Sequence, residues 1–341
     1  MFYNKTDMAY KIAFFGAKSY DIESFDNVNE NFHFNIRYYK GHLNCNNVIL
    51  SQNADAVCIF VNDTADSTVI NALAENGVRL IALRNAGFNN VDLEAAQGKI
   101  KVVRVPAYSP YAVAEYTLSL MLSLNRKIHR AYSRTRDGNF SLNGLMGYDM
   151  HGKTIGIIGT GKIAKILIHI LNGFGVRILA NDLYPDMEFA EEEAITYTTL
   201  EEIYHESDII SLHCPLTEKT RYMINEESIG QMKDGVTIIN TGRGQLIRTN
   251  ALIEGLKEKK IAAAGLDVYE EEGDYFYEDI SDEIINDDVL ARLLSFPNVI
   301  VTSHQAFFTK EAMHNIAETT LQNIKDFMEG KPLVNEVLLK Q

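Results

Sequence analysis

The segment Thr154-Ile155-Gly156-Ile157-Ile158-Gly159-Thr160-Gly161-Lys162-Ile163-Ala164 constrains this chain more than any other. A short β-rich run enters a G-x-G-x-x-A turn, and Ile163, Ile166, Leu167, Ile170 and Leu171 then recur at helical spacing. Gly159 permits the tight turn, Gly161 lets the backbone approach a pyrophosphate, and Ala164 lets the helix lie close to the strand. The helix start at Lys162 and Ile163 offers unpaired N–H groups and partial positive charge to phosphates. The next strand, Val176 to Asn181, is closed by Asp182, where an acid accepts hydrogen bonds from ribose hydroxyls. A 2′-phosphate would be repelled there, and Leu183-Tyr184 supplies no arginine, so NAD is expected over NADP. Enzymes that bind S-adenosylmethionine share the glycine turn and the acid, so the cofactor depends on residues further along.

Those residues continue an alternation of strands and helices. Asp208 to His213, Val236 to Asn240, Ile261 to Leu266 and Val299 to Thr302 read as strands, making six with the two above. This is the pattern of a doubly wound nucleotide-binding sheet. Before it, Lys11 to Phe15, Ala56 to Val61, Arg79 to Leu83 and Lys101 to Val105 read as strands of a separate parallel domain. Between them, Thr68 to Asn76 is a helix stopping at Gly77. A long helix is expected from Pro110 to about Arg136, joining the two series, and an amphipathic one from Lys310 to Glu329. At 341 residues, two domains are the natural expectation.

Ligands of open α/β sheets collect beyond the carboxyl ends of the strands, which filters the nine histidines. His213 and His304 follow strands directly; the other seven have no clean strand-end position. The filter also selects Arg243 in Asn240-Thr241-Gly242-Arg243-Gly244, whose guanidinium fork suits a carboxylate and whose glycines allow close approach to a ligand. It selects Asp267 as well, with the acidic run Glu270-Glu271-Glu272 beyond it; spacing leaves open whether that run is a solvated turn.

A net charge of −14 without a basic block argues against nucleic acid and anionic membrane as partners. Cys45, Cys58 and Cys214 lack metal-site or disulfide spacing, so no metal is expected. Met1 to Tyr10 shows neither a secretory nor a transit pattern, and a cytoplasmic location is expected.

These motifs together resemble the D-isomer-specific 2-hydroxyacid dehydrogenases over nearly the whole chain. The markers are Arg84-Asn85-Ala86-Gly87-Phe88-Asn89-Asn90-Val91-Asp92, Val105-Pro106-Ala107-Tyr108-Ser109-Pro110 and His151-Gly152-Lys153-Thr154. Ser211-Leu212-His213-Cys214-Pro215-Leu216-Thr217, Asn240-Thr241-Gly242-Arg243-Gly244, Gly265-Leu266-Asp267-Val268-Tyr269-Glu270 and His304-Gln305-Ala306-Phe307 follow in family order. The resemblance implies two doubly wound parallel-sheet domains of α/β class. One is a flavodoxin-like substrate domain, 1–108 with 307–341, and the other a Rossmann NAD-binding domain, 109–306. It implies that Arg243 binds the substrate carboxylate and carbonyl, that His304 is the acid/base and that Glu272 is its carboxylate partner. Ala86 and Gly87 would offer N–H groups to the substrate carboxylate, with Tyr108 and Phe307 walling the pocket. Cofactor contacts would come from Gly159, Gly161, Lys162, Ile163, Asp182, His213, Cys214, Pro215, Thr241, Gly242 and Asp267, the last holding the nicotinamide carboxamide.

Three positions depart from the usual pattern: Ala164 replaces a third glycine, Tyr116 a histidine and Ser303 a proline before His304. The expected reaction is NADH-dependent interconversion of a small 2-keto acid and its D-2-hydroxy acid, pyruvate and D-lactate being favoured. A branched-chain, phenyl or phosphorylated 2-hydroxy acid, or an NADH-sensing regulator on the same fold, are the alternatives; few extra cations surround the substrate motifs, which counts against a phosphorylated one. A homodimer or larger homo-oligomer is expected because Leu118, Leu120, Met121 and Leu124 spread broadly around the helix from Pro110.

Overall fold

A computed structural model describes residues 10–272 and 275–339. Residues 1–9, over which no targeting pattern was read, lie outside the described residues. The chain divides into two compact units, Met1–Ser109 with Phe308–Gln341, and Pro110–Phe307.

In the first unit, β1 (Lys11–Phe14), β2 (Asn35–Tyr38), β3 (Ala56–Ile59), β4 (Leu80–Leu83) and β5 (Lys101–Val103) form one sheet. All pairings are parallel and the order is β2-β1-β3-β4-β5, that of flavodoxin-like folds. Every residue of β3 and β4 is buried. Helices cover both faces of such a sheet, which is why these strands read as continuous apolar runs. The edge strand β2 was not anticipated: Asn-Ile-Arg-Tyr buries no residue fully and carries no apolar run. Helix Ser67–Glu75 begins where Asp66 accepts a hydrogen bond from Val69 N.

The second unit holds β6 (Thr154–Ile158), β7 (Arg177–Asn181), β8 (Thr196–Tyr197), β9 (Ile209–Leu212), β10 (Val236–Asn240), β11 (Ile261–Leu266) and β12 (Val299–Val301). They form a parallel sheet ordered β12-β11-β10-β9-β6-β7-β8. Counted from β6, this is the Rossmann order with one further strand, and the order reverses between β6 and β9. The expected six strands are present, and a two-residue strand, β8, joins them at the edge. It is too short to show a period.

The helix expected from Pro110 to Arg136 is two helices, Pro110–Arg126 and Ile128–Arg136, separated by Lys127 in the left-handed region at φ 51°. The first buries Leu120, Met121 and Leu124 in a core shared with Ile155, Ile157, Leu167 and Ile239, and Leu118 packs at its margin. The apolar breadth of this helix is therefore satisfied within the unit and does not by itself call for a second copy. The second helix buries no residue. Among the described residues, no helix is long and apolar enough to cross a membrane.

Candidate active site

The order reversal between β6 and β9 creates the crevice where doubly wound sheets hold ligands. Gly159 leaves β6 at φ +92°, and a Cβ there would lie 2.5 Å from Cys214 N and 2.7 Å from His213 C. The glycine turn is thus fixed by the loop after β9. The following helix, Lys162–Asn172, starts at Gly161 with no side-chain cap. Its first N–H groups have no acceptor among the described residues, and a Cβ on Gly161 would meet no atom within 4 Å. Uncapped donors facing open space fit a pyrophosphate.

Asp182 stands beside this turn. Its carboxylate accepts from Thr160 N at 2.6 Å, Thr160 Oγ1 at 3.1 Å and Tyr184 N at 2.9 Å. Partial burial pushes its acidity toward higher pH, but the hydrogen bonds from Thr160 and Tyr184 outweigh this and hold the carboxyl below its ordinary range. An ionised carboxylate with acceptor capacity remaining suits ribose hydroxyls.

His213 follows β9, half-buried, with its Nε2 2.8 Å from Ser211 Oγ. Burial pushes its imidazole down to about 4, so the ring is neutral at physiological pH. Beside it, burial raises Cys214 to about 11, which keeps it a thiol. Pro215 O accepts from Thr220 Oγ1 at 2.7 Å, folding the rest of the loop.

Beyond β10, Asn240 brackets the arginine turn. Its Oδ1 accepts from Gly242 N at 3.0 Å and its Nδ2 donates to Arg243 O at 2.9 Å. Thr241 is buried with its hydroxyl 2.9 Å from Thr117 Oγ1. The Arg243 side chain is exposed, donates to Gly242 O at 2.7 Å and has no carboxylate partner among the described residues. Close approach to a ligand was the reason expected for the flanking glycines. At Gly244 the close approach is instead to the protein: a Cβ would lie 1.7 Å from Tyr269 O. That contact sets the arginine turn against the chain leaving β11.

The same chain carries the acids. Glu270 Oε2 accepts from Thr249 N at 3.0 Å, at the start of helix Thr249–Lys257. Glu271 is exposed. Glu272 accepts from Tyr269 N at 3.2 Å through Oε1, and its Oε2 lies 2.8 Å from His304 Nδ1. The run is therefore not one solvated turn; its last member partners the histidine. The side chains of Glu272 and His304 are 26% and 25% exposed, half-shielded and still accessible.

His304 sits in the left-handed region at φ 52°, which a non-glycine residue adopts only when held there. The buried Asp267 holds it. Its backbone O accepts from His304 N at 2.7 Å, and its Oδ1 accepts from Thr302 Oγ1 at 2.6 Å and Gln305 N at 2.9 Å. Its Oδ2 accepts from Ala306 N at 2.8 Å. Burial raises the Asp267 carboxyl above its ordinary range, and these bonds and His304 offset this only in part. Tyr116, at the position where relatives often carry histidine, is half-buried, and burial raises its phenol. Tyr277 lies with its ring centroid 5.9 Å from that of His304.

The structure thus brings together Arg243, Glu272, His304, Asp267, Asp182, His213 and the glycine turn in one unit, all after parallel strands. The contacts of Thr302 and Tyr277 carry no local signal, because Thr302 acts through Asp267, distant in sequence, and Tyr277 lies in an irregular segment; Ser211 lies only two residues from His213, in the strand that leads to it. Ala86, Gly87 and Tyr108 belong to the other unit, where Tyr108 O accepts from Asn315 Nδ2 at 2.7 Å. Phe307 is the last residue of the second unit and is half-buried.

Comparison with known proteins identifies the family of the chain. Residues 118–306 match the family model described as D-isomer specific 2-hydroxyacid dehydrogenase, NAD binding domain. The chain is 51% identical over 319 residues to 2-hydroxyacid dehydrogenase homolog 1 of Schizosaccharomyces pombe, covering 93% of this chain and 96% of that one. It is 50% identical over 329 residues to D-lactate dehydrogenase of Escherichia coli, covering 96% and 100%. Among solved structures, the pyruvate reductase of Chlamydomonas reinhardtii superposes with a TM-score of 0.92 at 41% identity, over 96% of this chain and 98% of that one.

Proposed function

The chain belongs to the D-isomer-specific 2-hydroxyacid dehydrogenases, and from that premise we propose that it is a D-lactate dehydrogenase that reduces pyruvate with NADH. As an NAD-dependent enzyme of this family it transfers a hydride between the nicotinamide and a 2-keto or 2-hydroxy acid. The observation that carries the reading is the 2.8 Å contact between Glu272 and His304 Nδ1 on a loop held by Asp267. It leaves the other ring nitrogen for a substrate oxygen.

When bound, NADH supplies the hydride to the carbonyl carbon; the chain's own groups handle the proton and the charge. His304, protonated, gives its Nε2 proton to the carbonyl oxygen as the alkoxide forms, and the Glu272 carboxylate holds and orients the ring at Nδ1. In the reverse direction the neutral ring takes the hydroxyl proton. Arg243 binds the carboxylate and places its positive charge beside the oxygen where negative charge develops. The N–H groups of Ala86 and Gly87 bind the carboxylate as well. Asp182 and the start of helix Lys162–Asn172 take the ribose and pyrophosphate, with Lys162, Ile163, Cys214, Pro215, Thr241 and Gly242 lining the cofactor's path. Asp267 acts chiefly through the loop it holds; its Oδ2 carries one hydrogen bond and has capacity for a carboxamide N–H.

The relatives named D-lactate dehydrogenase support a substrate with a methyl group over one with a larger substituent. A cytoplasmic homodimer completes the reading; the exposed apolar residues Ile128, Tyr132, Phe140, Leu142 and Met146 are the surface that supports association. Initial rates of NADH oxidation over pyruvate, 2-ketobutyrate, 2-ketoisocaproate and phenylpyruvate test the substrate. Pyruvate is expected to give the highest kcat/KM, and a higher value for phenylpyruvate overturns the assignment.

A further inference from the structure

After β4 the chain runs through Asn85, Ala86, Gly87 and Phe88 in a loop whose carbonyls are all tied to the first unit. Asn85 O accepts from Val105 N at 3.1 Å. Ala86 O accepts from Arg104 Nη1 at 2.8 Å, and Gly87 O from Asn85 Nδ2 at 2.7 Å. In a planar trans peptide the C=O and the following N–H point in opposite directions. Three carbonyls held toward the protein therefore turn the N–H groups of Ala86, Gly87 and Phe88 the other way, and none of these has an acceptor among the described residues. Successive outward N–H groups make an anion-binding concavity.

Arg104 is set apart among these tethers because it is charged. It follows β5 directly, and its backbone is itself fixed: its N–H donates to Asn335 O at 3.1 Å and its O accepts from Asn323 Nδ2 at 2.9 Å. Asn335 in turn donates to Asn323 Oδ1 at 2.9 Å. The guanidinium lies over the Phe88 ring, 5.3 Å from its centroid. A cation bonded to Ala86 O withdraws electron density from that peptide and strengthens the Gly87 N–H on its far side, an effect enhanced where solvent is partly excluded.

We infer that Arg104 is a positioning residue for the substrate carboxylate, holding and polarising a three-donor nest in which Phe88 N–H joins those of Ala86 and Gly87. This rests on the reading of that loop as the carboxylate-binding element of a 2-keto acid reductase. Arg104 acts on the ground state and the transition state alike, since the carboxylate is unchanged by the reaction. Its loss should therefore appear in KM and leave kcat nearly unchanged.

The test measures, in Arg104→Met, Arg104→Lys and Asn85→Ala, the KM and kcat for pyruvate, inhibition by oxamate and the fluorescence-detected Kd for NADH. For Arg104→Met, KM and the oxamate inhibition constant should rise together by about tenfold, the scale of a weakened hydrogen bond to a charged group. NADH binding and kcat should remain near wild type. Arg104→Lys, which keeps a cationic donor, should recover part of the loss, and Asn85→Ala should raise the same two constants. Unchanged KM and oxamate inhibition in active Arg104→Met overturn the inference, as does a fall in kcat at constant KM, the signature of a merely damaged fold. If Arg104→Met does not fold, unchanged constants in both Arg104→Lys and Asn85→Ala overturn it. A wild-type enzyme that reduces no 2-keto acid overturns the functional reading instead.

Discussion

His213 and His304 both follow strands of the same parallel sheet, yet their surroundings make them different chemical groups. His213 faces Ser211, a neutral partner, and burial holds its ring neutral. His304 faces Glu272, an anion, on a loop that remains partly open to solvent. A strand-end position brings a residue to the ligand-binding edge of a doubly wound sheet, but the partner and the burial decide whether it can carry a proton through the reaction. Two histidines that pass the same positional filter thus separate into a buried, neutral ring and a partly open ring paired with a carboxylate.

The largest effect expected from this contrast lies at His304. His304→Ala should lower kcat for pyruvate reduction by about 10²- to 10⁴-fold, the usual worth of a general acid. NADH should bind as in the wild type, because the proton matters only when charge forms on the substrate oxygen. Stopped-flow rates with fluorescence titration of NADH check both halves; a loss under tenfold would remove His304 from the role.

A smaller effect is expected at its partner. Glu272→Gln still offers the ring a hydrogen-bonding group but removes the negative charge that faces it. Reduction near neutral pH should slow by about tenfold, the scale of a charge-assisted hydrogen bond. Single-turnover rates of pyruvate reduction at saturating NADH read this directly, and an unchanged rate separates Glu272 from the proton transfer.

The smallest effect is expected at His213. His213→Asn should weaken NADH by about fivefold at most, the scale of one neutral hydrogen bond, and leave the pH profile of reduction where it was. Stability gives a second reading. The folded ring titrates at about 4 and an unfolded one at about 6.5, so the unfolded chain binds the extra proton first. Wild-type stability from this group falls as pH drops from 6.5 toward 4, and His213→Asn should lose less over that window in urea melts. A pH profile that moves in this variant would make the two histidines alike and break the comparison.

The sequence by itself determined the alternation of strands and helices, the glycine turn, the acid at Asp182 and the short set of strand-end candidates for the chemistry. Each of these is local: a run of apolar residues buried on both faces, a glycine spacing, or one residue's place after a strand. Tertiary structure alone decided what depends on contacts between distant segments. The edge strands β2 and β8 exist by pairing with a neighbour, since neither has an apolar run of its own. The long helix breaks at Lys127 because only its first half has a core to bury. Glu270, Glu271 and Glu272 are indistinguishable as letters, and their separate fates follow from which backbone N–H or ring nitrogen lies opposite. Arg104 had no motif to mark it, since its hydrogen bond to Ala86 O joins the ends of two neighbouring strands. Charge and hydrogen bonding act over a few ångströms in space, and the chain's order in sequence does not record those distances.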